Sequence, residues 1–330
     1  MKNILLIATG GTKVSKESEN GLVPQVTSSE ILDYIPESRK ICNITTVQLF
    51  NIDSSNITPF HWLRIKNCIQ ENYGRYDGFV ITHGTDTMAY TASALSYLIQ
   101  NSYKPIVLTG AQKSIVELDT DARKNLLNAI IFAADDNACG VKIVFDNNVI
   151  IGTRARKTRT RSYNAFQSVD YPSIAIFRNN RPLYYIEEKK KYNVIFHDSL
   201  DPKIFLLKLI PGTDLHILSL LKEKYDAVIV ESFGMGGLPG EDKEKLAAIL
   251  DDYLSSGKVL VMATQVPYEG SDLSVYEVGT FMKNRENVLE ASTMTLESVV
   301  CKLMWILSKT KDTKEIHRLF YLPIDKDILI

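Results

Sequence analysis

Short apolar runs alternate with helical patterns along most of this sequence. Apolar runs of about four to eight residues have the length of buried β-strands, and apolar residues spaced three and four apart form one face of an α-helix. Strands that alternate with helices favour a parallel sheet that helices cover on both faces. The pattern therefore predicts an α/β fold.

The first half of the chain contains the clearest strand candidates, which are Asn3–Ala8, Val47–Ile52, Gly78–Ile81, Ile106–Leu108, Val141–Phe145 and Asn148–Ile151. Three helices are predicted between them. The first begins at Thr58-Pro59, which has the form of an N-cap followed by proline at the first helical position. The other two are predicted from the apolar spacing of residues 88–99 and 126–134.

A charged stretch without a clear period, Glu187–Lys191, separates this part from a second α/β pattern. Beyond it, Ala227–Val230 and Lys258–Ala263 predict strands, residues 246–253 predict a helix, and Gly257 is placed to end that helix. We therefore predict a larger N-terminal α/β domain with a mostly parallel sheet flanked by helices, and a smaller C-terminal α/β domain. The predicted boundaries are 1–190 for the N-terminal domain, 191–210 for a linker and 211–330 for the C-terminal domain.

The charge balance and the cysteine content exclude several classes of protein. The chain has 38 Lys and Arg against 39 Asp and Glu, so it has no overall field that would attract nucleic acid or a membrane surface. Its four cysteines form no Cys-x-x-Cys pair, which argues against a disulfide framework and for a reducing compartment. No apolar stretch approaches the roughly 20 residues that span a bilayer. We expect a soluble, cytoplasmic protein.

Polar side chains follow four of the predicted strands. The segments are Thr9-Gly10-Gly11-Thr12, Asp53-Ser54-Ser55-Asn56, Thr82-His83-Gly84-Thr85-Asp86-Thr87 and Thr109-Gly110. Each segment alone is also explained by a glycine turn, an Asx turn or a helix N-cap. In an open α/β sheet, however, ligands bind outside the carboxyl ends of the strands. The recurrence of these segments therefore predicts a small polar pocket that is rich in hydroxyl groups.

Several familiar chemistries have no anchor in the sequence. Neither Gly-x-Gly-x-x-Gly nor a Walker loop follows a strand, which makes nucleotide binding a weak hypothesis. No His-Glu-x-x-His or Cys/His pairing predicts a metal site, and no Gly-x-Ser-x-Gly predicts a serine triad. His83 is expected to pack or to form hydrogen bonds. The pocket therefore offers Thr and Ser hydroxyls without an evident histidine base.

The segment Arg154–Arg161 contains five cationic residues among eight. A nucleic-acid surface is a poor interpretation, because aromatic residues are not interleaved and the chain as a whole is neutral. Two interpretations remain. The segment is either a strand with solvated charges or the source of a lysine that enters the polar pocket as a base. The residues alone leave both open.

The motifs resemble those of the bacterial L-asparaginases, particularly the cytosolic type I group. The segments that carry the resemblance are Ala8–Thr12, Asp53–Asn56, Thr82–Met88 and Arg156-Lys157-Thr158. It extends through Asn125–Ala129 and Thr264-Gln265 to Leu319-Phe320, and so covers essentially the whole chain. The resemblance implies an L-asparagine amidohydrolase that releases aspartate and ammonia, with L-glutamine as a second substrate. It implies no metal, cofactor, nucleic acid or membrane, and a homodimer or homotetramer.

The resemblance also assigns roles to individual residues. Thr12 would be the nucleophile that forms an acyl-enzyme ester. Thr85, Asp86 and Lys157 would form a second cluster, in which Lys157 is the base or proton relay for Thr85 and Asp86 also holds the substrate α-ammonium group.

A further part of the pocket is assigned to substrate binding. Ser54, with Asp53 and Ser55 beside it, would bind the substrate α-carboxylate and shape the pocket, and Thr85 and Asp86 would also contact the substrate. An ammonium group needs an acid and a carboxylate needs donors, and both are present.

Some positions depart from the family pattern. Lys13 replaces an apolar residue after the nucleophile, and Leu22 replaces a loop tyrosine. Glu231–Gly234 and Thr264–Val266 replace Arg-Ser-Tyr-Gly and Thr-Gln-Cys, so we do not expect the allosteric asparagine site of some type I members. Two alternatives stay open. One is the asparaginase-like subunit of a tRNA-dependent amidotransferase, which normally has an additional N-terminal domain, and the other is a catalytically weakened homologue that binds amino acids.

Overall fold

A computed structural model describes residues 1–10, 15–18, 21–24, 30–239, 243–275 and 285–329. The chain divides into two compact units, Met1–Asp198 and Ser199–Ile330. Each unit has its own sheet, which is mostly parallel in the first unit and parallel in the second.

The first unit contains most of the strands. They are β1 (Asn3–Ala8), β2 (Ser15–Ser18), β3 (Gly21–Pro24), β4 (Asn43–Gln48), β5 (Gly78–Thr82), β6 (Ile99–Gln100), β7 (Pro105–Thr109), β8 (Gly140–Phe145), β9 (Asn148–Ile151), β10 (Ala155–Lys157), β11 (Phe166–Ser168), β12 (Ala175–Arg178), β13 (Arg181–Tyr184) and β14 (Ile195–Phe196). Its α-helices in the described ranges are α1 (Pro59–Asn72), α2 (Met88–Leu98) and α3 (Ala122–Ala133).

The main sheet of this unit has eight strands in the order β13-β12-β9-β8-β7-β5-β1-β4. The strands from β4 to β8 along this order run parallel, whereas β9, β12 and β13 are joined to the sheet by antiparallel pairing. All residues of β5 and β7 are buried. Alternate residues of the central strands, such as Leu6, Val80 and Val107, pack in one apolar cluster with Ile130 of α3. Their sequence neighbours point to the other face, because side chains alternate along a strand.

Helices α1 and α2 begin where the sequence predicts them, whereas α3 begins at Ala122, before the predicted range of 126–134. Thr58 is the N-cap of α1, and its backbone N–H donates to Nδ1 of His61 at 3.1 Å. Helix α2 is buried on almost every side, since only Tyr90 of its residues is not fully buried. Ala, Ser and Thr make up most of its sequence, and such small side chains let neighbouring elements approach from all directions.

One predicted strand is displaced along the chain. The sequence predicts Val47–Ile52, but the strand is Asn43–Gln48. β4 is an edge strand, and its residues are only partly buried or exposed. Edge strands lack the continuous apolar run that marks a central strand. The apolar residues that follow β4 lie in a loop, in which the Ile52 N–H donates to the Thr9 carbonyl at 3.2 Å.

The second unit has a four-stranded parallel sheet in the order β15-β16-β17-β18. Its strands are β15 (Ile204–Lys208), β16 (Ala227–Ser232), β17 (Val259–Thr264) and β18 (Val288–Glu290), and its described α-helices are α4 (Ile217–Leu221), α5 (Lys243–Ser255), α6 (Leu296–Leu307) and α7 (Thr313–Phe320). The division between the units falls inside the range 191–210 that the sequence predicts as a linker. That range also contains β14 and β15, because Ile204–Leu207 is apolar enough to add a strand to the second sheet.

The two-domain α/β fold is confirmed, with a larger, mostly parallel N-terminal sheet and a smaller parallel C-terminal sheet. Within the described part of the chain, no helix combines the length and the apolar character needed to cross a membrane.

Candidate active site

The polar segments that follow β1, β5 and β7 lie side by side at one edge of the main sheet. Thr9 Oγ1 donates to the Thr82 carbonyl at 2.9 Å, and the His83 N–H donates to the Thr109 carbonyl at 2.9 Å. The loop after β4 joins them through its bond to Thr9. The convergence follows from topology, because parallel neighbours place their carboxyl ends at the same edge.

Two glycines permit the close approach of these segments. Gly10 has φ +98°, and a Cβ atom there would lie 2.5 Å from both N and O of Ile52. A Cβ atom on Gly110 would lie 2.3 Å from the His83 carbonyl oxygen. Such distances are far inside van der Waals contact, so a side chain at either position would push the strand ends apart. Here the glycines allow backbone to meet backbone, and at Gly10 the positive φ adds a second reason for the residue.

The centre of the described site is a contact between β10 and the turn after β5. Lys157 Nζ donates to Thr85 Oγ1 at 2.8 Å and to Asp86 Oδ1 at 2.5 Å. The Lys157 side chain is only 16% exposed, whereas that of Asp86 is 65% exposed. Of the two interpretations of the cationic segment, the structure therefore favours a lysine inside the polar pocket. Arg154 of the same segment is fully buried with its guanidinium over the Tyr171 ring.

The loop after β4 is organised by its own side chains. Asp53 Oδ1 accepts the Ser55 N–H at 2.8 Å and the Ser55 hydroxyl at 2.6 Å, which caps a short 3-10 turn at Ser54–Asn56. Ser54 is buried, and its carbonyl accepts a hydrogen bond from Thr87 Oγ1 at 2.7 Å. The hydroxyl of Thr87 therefore fastens this loop to the turn that carries Thr85.

The buried ring of His83 stabilises the turn that carries Thr85. Its Nδ1 lies 2.7 Å from the Gly84 carbonyl, which can only accept, so Nδ1 carries the hydrogen. Its Nε2 then accepts from Thr91 Oγ1 at 2.9 Å, and that hydroxyl in turn accepts from Trp62 Nε1 at 2.9 Å. Complete burial lowers the pKa of His83 to about 4, against a hydrogen bond to Gly84 that raises it. His83 is therefore neutral near pH 7, and both of its ring nitrogens are occupied.

Two residues of this site, Gln112 and Thr87, are not predicted as functional from the sequence. Gln112 Oε1 accepts from Thr85 Oγ1 at 3.3 Å. Both residues stand in or just after polar segments that follow predicted strands. Thr87 donates to the Ser54 carbonyl, and the Gln112 amide donates to the Ser162 carbonyl. The sequence does not indicate these roles, because a backbone carbonyl can belong to any residue type.

The remaining expectations concern the segment after Gly10 and the presence of metal. Thr12 and Lys13 lie outside the described residues. Leu22 lies in β3, which forms an antiparallel hairpin with β2. No group of three or more His, Cys, Asp or Glu among the described residues is arranged to hold a metal ion.

Comparison with known proteins identifies the family. Residues 3–190 match the model of the asparaginase N-terminal domain, and residues 203–320 match that of the glutaminase/asparaginase C-terminal domain. The chain is 36% identical to an L-asparaginase of Thermococcus kodakarensis over 320 residues, which are 96% of each protein. It is 33% identical to L-asparaginase 1 of Escherichia coli K12 over 329 residues, covering 96% of this chain and 95% of that protein.

A third relative has a different function. It is a glutamyl-tRNA(Gln) amidotransferase subunit from Pyrococcus furiosus, which is 32% identical over 335 residues, covering 97% of this chain and 75% of that protein.

Solved structures agree with the sequence relatives. The thermostable L-asparaginase from Thermococcus kodakarensis superposes with a TM-score of 0.92 at 35% identity, and the alignment covers 99% of each chain. A probable cytoplasmic L-asparaginase from Campylobacter jejuni superposes with a TM-score of 0.83 at 26% identity, covering 97% of this chain and 99% of that chain. This chain belongs to the asparaginase family of amidohydrolases.

Proposed function

We propose that this protein hydrolyses L-asparagine to L-aspartate and ammonia, with L-glutamine as a slower substrate. The observation that carries the proposal is the placement of one ammonium group, Lys157 Nζ, within hydrogen-bond distance of both Thr85 Oγ1 and Asp86 Oδ1. A lysine that contacts both a hydroxyl and a carboxylate is suited to proton transfer at an amide. Relatives named L-asparaginase match nearly the whole chain.

The proposed reaction begins with Thr12 as the nucleophile. Its hydroxyl oxygen attacks the side-chain amide carbon, and collapse of the tetrahedral intermediate breaks the C–N bond and leaves an acyl-enzyme ester. Water then attacks the ester carbon, which releases aspartate and restores the Thr12 hydroxyl. The Thr12 hydroxyl releases its proton to water as the C–O bond forms and regains one when the ester breaks.

Thr85 and Lys157 are proposed to move the proton that the departing nitrogen requires. Thr85 Oγ1 gives its hydrogen to that nitrogen and receives one from Lys157 Nζ, which becomes a neutral amine. During hydrolysis of the ester, the amine takes the proton back from the attacking water through Thr85. The 2.8 Å contact between the two atoms supports this exchange, because proton transfer needs a direct hydrogen bond.

Substrate binding is proposed to use two further parts of the site. The Asp86 carboxylate is largely exposed and can accept the α-ammonium group beside its bond to Lys157. The loop of Asp53, Ser54 and Ser55 would bind the α-carboxylate. Its attachment to Thr87 supports this role, since the bond fixes the loop next to the residues proposed to act on the amide.

The subgroup, location and assembly are proposals of the same kind. We propose a cytoplasmic type I enzyme that acts without a metal or cofactor as a homodimer or homotetramer. One of the similar solved structures is a probable cytoplasmic L-asparaginase, which supports the location.

The relation to the amidotransferase subunits gives a second candidate. Such subunits from three Pyrococcus species are 30–32% identical over 97% of this chain, which spans about three quarters of their length. On this interpretation the chain would release ammonia from an amide only together with another protein. Amide hydrolysis by the purified chain alone would favour the asparaginase.

The experiment is an ammonia assay with the purified chain against L-asparagine and L-glutamine. We expect activity on asparagine that is lost in Thr12→Ala and Thr85→Ala. Thr160→Ala is the matched control, because Thr160 is an exposed threonine three residues beyond Lys157. Wild-type rates in both site variants would contradict the proposal. Tight binding of asparagine without turnover in calorimetry would instead identify an amino-acid-binding homologue.

A further inference from the structure

Among the residues that the structure describes, the hydroxyl of Thr85 has two partners, and together they define where its hydrogen points. A hydroxyl has one hydrogen and two lone pairs, whereas a lysine ammonium can only donate. Lys157 Nζ therefore occupies a lone pair of Thr85 Oγ1 at 2.8 Å. The oxygen 3.3 Å away on Gln112 is an acceptor, so the Thr85 hydrogen is directed at Gln112 Oε1.

The orientation of the Gln112 amide is defined by its other end. Nε2 lies 3.2 Å from the Ser162 carbonyl oxygen, which can only accept. A reversed amide would bring two oxygens together at this position and would turn an N–H toward Thr85. The observed orientation satisfies both ends, with a donor at Ser162 and an acceptor at Thr85.

The backbone of Gln112 is held by a buried carboxylate. The Gln112 N–H lies 3.1 and 3.0 Å from the two oxygens of Asp121, and the Lys113 N–H donates to Asp121 Oδ1 at 3.0 Å. Asn125 Nδ2 donates to Asp121 Oδ2 at 3.2 Å and to the Gly110 carbonyl at 3.0 Å. The loop after β7 is therefore anchored to the start of α3, and the Gln112 side chain extends from a fixed base.

Gln112 also connects two separate parts of the site. Ser162 lies in the loop between β10 and β11, and β10 carries Lys157. The Gln112 side chain thus contacts both the Thr85 hydroxyl, in the turn after β5, and the hairpin that carries Lys157. A displacement of Gln112 would change both the direction of the Thr85 hydrogen and the support of the Lys157 hairpin.

We propose that Gln112 is a positioning residue whose amide holds the Thr85 hydroxyl in the orientation from which the proton relay starts. The inference rests on the proposed amidohydrolase function of the same site. In the resting site the Thr85 hydroxyl donates its hydrogen to Gln112 Oε1, and the Lys157 ammonium donates to a lone pair of Thr85 Oγ1. Rotation of the hydroxyl toward the departing nitrogen then delivers that hydrogen, while Lys157 already lies in place to replace it. Gln112 itself gains and loses no proton.

Two substitutions separate positioning from a structural role. Gln112→Met keeps the length of the side chain and removes both hydrogen bonds. General acid–base assistance contributes about 10²- to 10⁴-fold to rate, and we expect partial loss of alignment to lower kcat about 10- to 100-fold. KM should stay within about threefold, because Gln112 is assigned no contact with the α-groups of the substrate.

Gln112→Glu gives a pH-dependent rescue. When protonated, the introduced acid reproduces the amide, since its O–H can donate to Ser162 and its C=O can accept from Thr85. When ionised, it loses the donor and adds a negative charge. The ordinary pKa of a glutamic acid is about 4.3, so the ratio of the variant's kcat to that of the wild type should be highest below that pH and fall as pH rises through it. The charged residues on the surrounding segments, which both proteins share, are Asp86, Lys113, Glu117, Asp119, Asp121, Lys157, Arg159 and Arg161.

The matched control is Gln100→Glu. Gln100 Nε2 donates to the Tyr97 carbonyl at 3.2 Å, so this substitution also removes an amide donor that faces a backbone carbonyl. Gln100 lies in β6, which follows α2 and is away from the strand ends that form the site. Its kcat ratio to the wild type should be constant across pH.

Three results decide the inference. A fall in kcat for Gln112→Met together with a pH-dependent ratio for Gln112→Glu supports it. Wild-type kcat in Gln112→Met, or a ratio for Gln112→Glu as flat as that of the control, overturns it. If the wild type hydrolyses no amide, the proposed function fails instead. A crystal structure would then test the contact between Gln112 and Thr85 independently of activity. The contact is confirmed if Gln112 Oε1 lies within hydrogen-bond distance of Thr85 Oγ1, and it is excluded if the amide is turned away.

Discussion

The ammonium nitrogen of Lys157 lies 2.8 Å from the hydroxyl oxygen of Thr85, although the residues are 72 positions apart in the chain. Thr85 follows a central strand of the main sheet, and Lys157 ends a short strand of a separate hairpin. Their contact is therefore made by the fold of the first unit and not by local sequence. It brings together a proton donor and a hydroxyl beside an exposed carboxylate, which is the arrangement that the proposed relay requires.

The first prediction concerns Gly10, where the chain turns beside the loop after β4. A Cβ atom at this position would lie 2.5 Å from backbone atoms of Ile52 at a φ of +98°. We expect Gly10→Ala to lower the free energy of unfolding by about 1–3 kcal/mol and to reduce kcat/KM at least about tenfold. Gly74→Ala is the control, since a Cβ atom there meets nothing within 4 Å. Equal activity and stability of the two variants would show that the close approach is unimportant.

Thr87 provides a test of the loop that is proposed to bind the α-carboxylate. Its hydroxyl donates to the Ser54 carbonyl at 2.7 Å. Thr87→Val keeps the shape but removes this donor, so we expect KM for asparagine to rise about 5- to 20-fold, which corresponds to about 1–2 kcal/mol. Thr87→Ser retains the hydroxyl and should restore KM to within about twofold of the wild type. A KM unchanged in Thr87→Val would contradict the assignment.

The buried imidazole of His83 should make stability depend on pH. Its pKa is lowered by burial from 6.5 to about 4, so below pH 6.5 the unfolded chain takes up a proton that the folded chain refuses. The stability that the folded chain has with His83 neutral is fully present above pH 6.5 and is lost as pH falls toward 4. The loss amounts to up to about 3 kcal/mol across that range.

Urea unfolding at several pH values measures this effect. Trp62 reports on the first unit if Trp305, the second of the two tryptophans, is replaced by Phe in every protein compared. His83→Asn should flatten the pH dependence between pH 6.5 and 4 relative to its parent, whereas His317→Asn, at an exposed histidine, should not. Parallel curves for the parent and His83→Asn would show that His83 does not titrate as described.

Part of the site could be anticipated because topology converts sequence order into proximity. Thr82 and Thr109 end parallel strands and Thr9 directly follows one, and such ends must share one edge of a sheet. The place of Lys157 in the site is harder to predict, because a cation in a short strand is equally consistent with a solvated surface. Only the position of the hairpin relative to Thr85 favours one interpretation over the other.

Other features carry too little signal to be predicted. β4 is a half-buried edge strand, and the more apolar residues beside it, among them Phe50 and Ile52, belong to a loop. The contact of Gln112 with Ser162 uses a backbone carbonyl, and any residue type at position 162 could supply it. Thr12 as the nucleophile stays a prediction, since it rests on family resemblance and lies outside the described residues.

The central claim is that Lys157 acts through Thr85, and a double-mutant cycle on asparagine hydrolysis tests it most directly. Thr85→Ala and Lys157→Met should each lower kcat by about 10²- to 10⁴-fold, while Lys189→Met, at an exposed lysine, leaves it unchanged. Because residues that work as one unit lose their function together, we predict that the double variant is within about threefold of the slower single variant. Losses that multiply in the double variant would contradict the claim, since they would show that the two residues act independently.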